Sequence, residues 1–172
     1  MADNLNTTKE WLELAFKNRQ KVIKFYKIEE FAATVFRIQL SIEQLQKSLV
    51  FLIGLKFRKT HEPSKILDLI EKDENIQIEQ KYINKIKKIA KISKDIEEQG
   101  TATRYGEIID GKLVSPDNRY NKSESLKYMK DLMKILVILN DLLESIPDFK
   151  IPIQSITKYI SEIKELIIDE PN

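Results

Sequence analysis

The sequence predicts an all-α fold: an up-and-down bundle of five to six helices, with a long loop between the fourth and fifth. Three observations carry this. Phe31, Val35, Ile38, Ile42, Leu45, Leu49 and Leu52 recur at alternating steps of four and three, the period of a helix-packing seam. Only four Gly and five Pro interrupt 172 residues. No strand–helix alternation and no internal repeat appears, so neither an α/β sheet nor a solenoid is called for.

The elements follow in order. Thr7 and Glu10 have the spacing of a capping box. Behind them Trp11, Leu14, Ala15, Val22, Phe25 and Tyr26 give a patchy first helix ending near Lys27. The seam defines the second helix, which Gly54 and the polar "KFRKTHEP" stop. Pro63, tolerated in a first turn, precedes a short third helix, "SKILDLIEK". The fourth runs from about Ile78 to Glu98 and ends at Gly100. Ser123 is placed to cap the fifth. That helix carries Leu126, Met129, Met133, Leu136 and Leu143 on one side and Leu132, Ile135, Leu139 and Leu142 on another, so it is central in the bundle or lies at a subunit interface. Pro147 and Pro152 bracket a break before a last helix, with Ile156, Ile160, Ile163 and Ile167 on one stripe. Between helices four and five, "TATRYGEIIDGKLVSPDNRY" is long and polar. Asp110-Gly111 between short apolar runs predicts a type I′ hairpin inside it.

Composition excludes several classes. At this length the chain suits one domain, residues 1–172, with a core of its own. Zero cysteines remove disulfides and thiolate chemistry and fit a reducing compartment. The N-terminus lacks the pattern of a signal peptide, and no apolar run approaches the ~18 residues that span a bilayer; a cytoplasmic location with no membrane contact is expected. The Ile- and Lys-rich, Gly-poor bias suits a thermophile or an AT-rich genome. A net charge of +2 is too small to argue nucleic-acid binding. Lys81, Lys85 and Lys88 form a local basic stripe, read as a solvated face or as a phosphate-facing one. His61 is the sole histidine, so multi-histidine metal sites are excluded; no glycine-rich nucleotide loop and no H-E-x-x-H is present.

The remaining polar residues form a pattern. Gln39, Glu43 and Lys47 lie at i, i+4 and i+8 of the second helix, beside the seam. Thr60-His61 opens the short third helix, which carries Leu67 and Leu69. A Lys-rich helix then leads into Thr103-Arg104-Tyr105 and a further long helix. In this order and spacing, over roughly Glu10 to Glu144, the chain resembles the HEPN family, the higher-eukaryote and prokaryote nucleotide-binding domain. Residues 145–172 form an additional C-terminal helix outside the resemblance.

The resemblance implies that the Thr-Arg-Tyr turn folds back toward the second helix. Glu43, Lys47, His61, Arg104 and Tyr105 would then share one polar, ligand-binding cleft. Arg104 is a planar permanent cation able to hold a phosphate through two hydrogen bonds, and Tyr105 offers a stacking face. A second reading pairs Arg104 with Glu43 as a buried clamp that needs no ligand. The resemblance further implies a nucleotide or RNA as ligand, a homodimer, and cooperation with a small nucleotidyltransferase in a toxin–antitoxin-type module. No metal or cofactor is implied.

Ribonucleases of the family use an Arg followed four to six residues later by His. Here Arg58 precedes His61 by three, and Arg37, Arg104 and Arg119 have no following His at that distance. This departure weighs against catalysis. A metal-independent ribonuclease using His61 and Arg104, and a ligand-free helical assembly protein, remain the alternatives.

Overall fold

The computed structural model describes residues 2–55, 60–74, 76, 78–146 and 149–168. Helices account for nearly all of the regular structure, and the strands among the described residues form one two-stranded hairpin. The all-α bundle expected from the seam is what the chain builds.

The first helix is divided into α1 (Ala2–Lys17) and α2 (Arg19–Lys27). At the break, the Asn18 N–H turns to the Ala15 carbonyl at 3.2 Å, and its side-chain amide donates to Gln44 Oε1 at 2.9 Å. Asparagine favours such positions because its side chain competes for polar partners outside the helical ladder. Thr7 lies inside α1, which already begins at Ala2, so the Thr7–Glu10 capping box is not formed.

α3 (Phe31–Leu52) follows the seam, and every residue from Ser41 to Val50 is buried. It is the bundle's central rod, with α1, α2, α5 (Gln80–Glu98) and α8 (Lys122–Leu143) packed around it. Gly54, at φ 74°, closes it, and residues 56–59 of the predicted stop lie outside the described residues. The third helix is shorter than its sequence implied: α4 (Ser64–Leu67) gives way to a 3-10 turn over Ile70–Lys72. Pro63 stands just before the first helical residue. α5 starts at Gln80 rather than Ile78.

The long loop folds on itself. α6 (Ala102–Tyr105) leads into β1 (Glu107–Ile109) and β2 (Lys112–Val114), with Ile108 opposite Leu113, and then into α7 (Pro116–Arg119). Asp110 and Gly111 both have positive φ, 51° and 75°, as a type I′ turn requires. At the stem, Gly106 has φ 78°, and a Cβ there would sit 2.2 Å from the Val114 carbonyl oxygen. Gly106→Ala is therefore expected to splay the hairpin at a cost of about 1–3 kcal/mol. Loss of the cross-strand amide contacts between Ile108 and Leu113 by NMR would register it.

α8 is capped by Asn121, not Ser123. Asn121 Oδ1 accepts from the Glu124 N–H at 3.2 Å, and Glu124 Oε2 accepts from the Asn121 N–H at 3.1 Å. The backbone is extended at Asn121, whereas Ser123 already lies in the first turn, where its hydroxyl cannot cap. Most of the apolar surface of α8 is covered within one chain, since α3, α5 and α9 (Lys150–Ile168) pack on it, while Val137 stays exposed. α9 contributes Ile156, Tyr159 and Ile163 to the common core. Pro152 falls in its first turn, and Pro147 lies outside the described residues. On α5, Lys81 pairs with Glu79 at 2.8 Å and Lys85 with Asp141 at 2.6 Å, so the basic stripe is largely neutralised.

Candidate functional site

One stripe of α3, Phe36, Gln39, Glu43 and Lys47, organises the polar side chains. Steps of three and four keep these residues on a single side of the helix. Lys47 Nζ donates to Glu43 Oε1 at 2.6 Å; the two side chains are only 11% and 7% exposed. The same ammonium lies 4.9 Å from the centre of the Trp11 ring, a cation–π contact away from bulk water. Glu43 Oε2 faces His61 Nδ1 at 3.4 Å. The imidazole is 75% exposed, so the buried couple presents an accessible ring to solvent.

A latch behind this group positions His61. The Ser64 N–H donates to Glu97 Oε1 at 3.2 Å, the Ser64 hydroxyl donates to Glu97 Oε2, and Gln46 Nε2 donates to Glu97 Oε1 at 2.6 Å. Thr60 Oγ1 accepts from the Glu62 N–H at 2.9 Å, which folds the turn that carries His61. Burial pushes the Glu97 carboxyl above the ordinary glutamate value, against the hydrogen bonds from Ser64 and Gln46. The sequence pattern does not single out Glu97, Ser64 or Gln46. The available signal is Glu97 itself, which extends the Ile83, Ile86, Ala90, Ser93 core register of α5 with a charge.

Farther toward the start of α3, Gln39 holds the "TATRY" turn. Its Nε2 donates to the Gly100 carbonyl at 3.2 Å, and its Oε1 accepts from the Thr103 hydroxyl at 2.7 Å. This brings Arg104 over Phe36, with Cζ 5.2 Å from the ring centre. Arg37 also stacks on that ring, at 5.3 Å, and reaches Asn18 Oδ1 through Nη1 at 3.5 Å. Two guanidiniums thus share one half-buried phenyl group.

Glu43 contacts both Lys47 and His61. Arg104, on α6, meets the same stripe at Phe36, seven residues before Glu43 and about 10 Å along the α3 axis. Among the described residues no hydrogen bond or ion pair joins Arg104 to Glu43, and Arg104 is exposed. Tyr105 is 72% exposed. Arg58 lies outside the described residues. The second Arg-Tyr pair is structural. Arg119 Nη2 and the Tyr120 hydroxyl both donate to Gln99 Oε1, at 3.0 and 3.2 Å, and Arg119 pairs with Glu107 at the hairpin stem. No group of three or more His, Cys, Asp or Glu that could hold a metal occurs among the described residues. No helix there is long and apolar enough to cross a membrane.

The bundle thus sets two guanidiniums over one ring at one end of the α3 stripe and an imidazole beside a buried acid–base couple at the other. The chain belongs to the HEPN family: the model of the HEPN domain matches residues 8–142. Membership implies nucleotide or nucleic-acid binding in general terms. The match leaves α9 outside. Comparison with curated proteins and with solved structures gave no match.

Proposed function

We propose that this chain is a nucleotide- or RNA-binding HEPN protein that holds its ligand along the α3 stripe without cleaving it. In this reading Arg104 and Arg37 take the phosphate, and Tyr105 supplies a stacking surface. The Glu43–Lys47–His61 group receives the polar end of the ligand. The observation that carries the reading is the pair of guanidiniums on Phe36, 5.2 and 5.3 Å from its ring centre. Contact with one ring holds the two cations close together in advance, so less freedom is lost when they bind a phosphate. The finer assignment is a homodimer that works beside a minimal nucleotidyltransferase in a two-component toxin–antitoxin-type module. The HEPN family match supports this assignment, and the missing Arg-x4-6-His spacing supports binding without cleavage.

The test is thermal. A ligand at a hundred times its Kd adds about 2.7 kcal/mol of stability, or about 5–10 °C in Tm for a domain of this size. ATP or a short RNA should produce such a rise, and Arg104→Ala, an exposed position, should remove most of it without lowering the unliganded Tm. No rise with any nucleotide would end the reading. RNA should stay intact on incubation with the purified protein; cleavage that disappears in His61→Ala would transfer the assignment to the ribonuclease alternative. Light scattering showing a monomer at tens of micromolar would remove the homodimer.

A further inference from the structure

Five cations and no carboxylate fall within Lys17–Lys27, although the whole chain carries a net charge of only +2. Lys17, Lys21, Lys24 and Lys27 recur at steps of four, three and three, which sets them along one side of the α1–α2 rod. All four are exposed, and none is ion-paired among the described residues. Such a row repels itself, and folding stability gives no reason to retain it.

The row borders a groove of about 650 Å³ between α2 and α9. Four cations line it, Arg19, Lys24, Lys27 and Lys158, against two carboxylates, Glu162 and Glu165. Glu162 is engaged with Arg19: its Oε2 lies 3.2 Å from Arg19 Nε, close but out of line for a hydrogen bond. Nearby, Arg19 follows Asn18, whose Oδ1 receives Arg37, and Arg37 shares the Phe36 ring with Arg104.

We propose that the α2–α9 groove binds the phosphodiester backbone of a single-stranded RNA. The inference deepens the nucleotide-binding reading and rests on it: the ligand is a strand rather than a lone nucleotide. A mononucleotide presents its phosphates as one cluster, whereas a strand presents one per residue and is matched by lysines about 5–6 Å apart on a helix. A membrane surface fits less well, because Val22 and Tyr26 of α2 are buried in the core and the groove side offers only Ile23, Ile28 and Leu166 as scattered apolar groups among its charges. An acidic protein partner would call for a buried aromatic anchor, and the groove lining holds no aromatic residue. α9 lies beyond the residues that the HEPN model matches, so this groove belongs to the chain rather than to the family pattern.

The test compares fluorescence anisotropy of a labelled fifteen-nucleotide polyuridine with ATP binding, across a salt series. With about five phosphate contacts, log K for polyuridine should fall against log salt with a slope near −3.5, at −0.7 per contact on a single strand. Lys24→Ala with Lys27→Ala should flatten that slope by about 1.4. Lys24→Glu with Lys27→Glu, or with Lys158→Glu from the opposite wall, should weaken polyuridine binding at least tenfold and leave ATP binding unchanged. Unchanged affinity and slope in these variants would overturn the groove, while ATP binding lost in Arg104→Ala would keep the nucleotide reading alive. Equal affinity for polyglutamate of the same length would make the groove a general anion surface and overturn its assignment to RNA. A wild-type protein that binds neither ATP nor polyuridine would overturn both readings.

Discussion

Glu97→Ala is expected to destabilise the fold by about 3 kcal/mol, measured by urea unfolding at neutral pH. Three donors converge on this carboxylate, and hydrogen bonds to a charged group contribute about 1.5–3 kcal/mol each before desolvation is counted. Truncation leaves the Ser64 N–H and the Gln46 amide buried with no acceptor in place. The ionised carboxylate is itself costly to bury, and this offsets part of the loss. The same argument fixes the sign of a pH effect. Because burial raises its folded-state value, Glu97 binds a proton more readily in the folded chain than in the unfolded one. Its contribution is therefore fully present below the ordinary glutamate value and declines as pH rises through the elevated one. Glu97→Gln keeps the side chain's shape and removes the ionisation. The difference in stability between wild type and Glu97→Gln should shift in favour of Gln as pH rises across that window, and a difference independent of pH would refute the assignment. Because Ser64 follows His61 by three residues, Glu97→Ala should also weaken nucleotide binding more than Glu97→Gln does.

Lys47→Met is expected to cost about 3 kcal/mol, since among the described residues it leaves the Glu43 carboxylate, 7% exposed, with only an outlying imidazole at 3.4 Å. Methionine retains the stem that packs near Trp11, so the loss reports the charge rather than a cavity. Adding Glu43→Leu should recover most of that stability, because a buried ion pair is often matched by apolar residues of similar volume. The double variant would then be folded and stable but poor in nucleotide binding. A double variant as unstable as Lys47→Met would show that the pair contributes to stability as a unit. A stable double variant with full binding would remove the pair from the site.

How far the sequence carries these conclusions depends on the residue. The seam from Phe31 to Leu52 makes α3 unmistakable, because apolar periodicity over six turns has no competing reading. Helix ends are less legible. Asn18 and Asn121 each use a side chain to satisfy a backbone group; Asn121 has Glu124 three residues on, the capping-box spacing that Ser123 lacks, whereas nothing beside Asn18 marks it out. In the site, the four-residue spacing of Glu43 and Lys47 is visible, yet their burial is not: it follows from Trp11 and the His61 turn closing over them. The contact of Arg104 with Phe36 depends on Gln39 gripping a turn more than sixty positions away, which no local pattern encodes. The lysines of α2 stand in plain view, but only the return of α9 gives them an opposite wall.

The hairpin has a practical implication. Its strands stand out from the bundle, with Ile108 and Leu113 each about two-thirds exposed, and Arg119 fastens the stem through Glu107. An outgrowth tied down at its base is a natural handle: a dye or an affinity label joined at Asp110-Gly111 would report on the protein from outside, leaving the packed interior unaware of it.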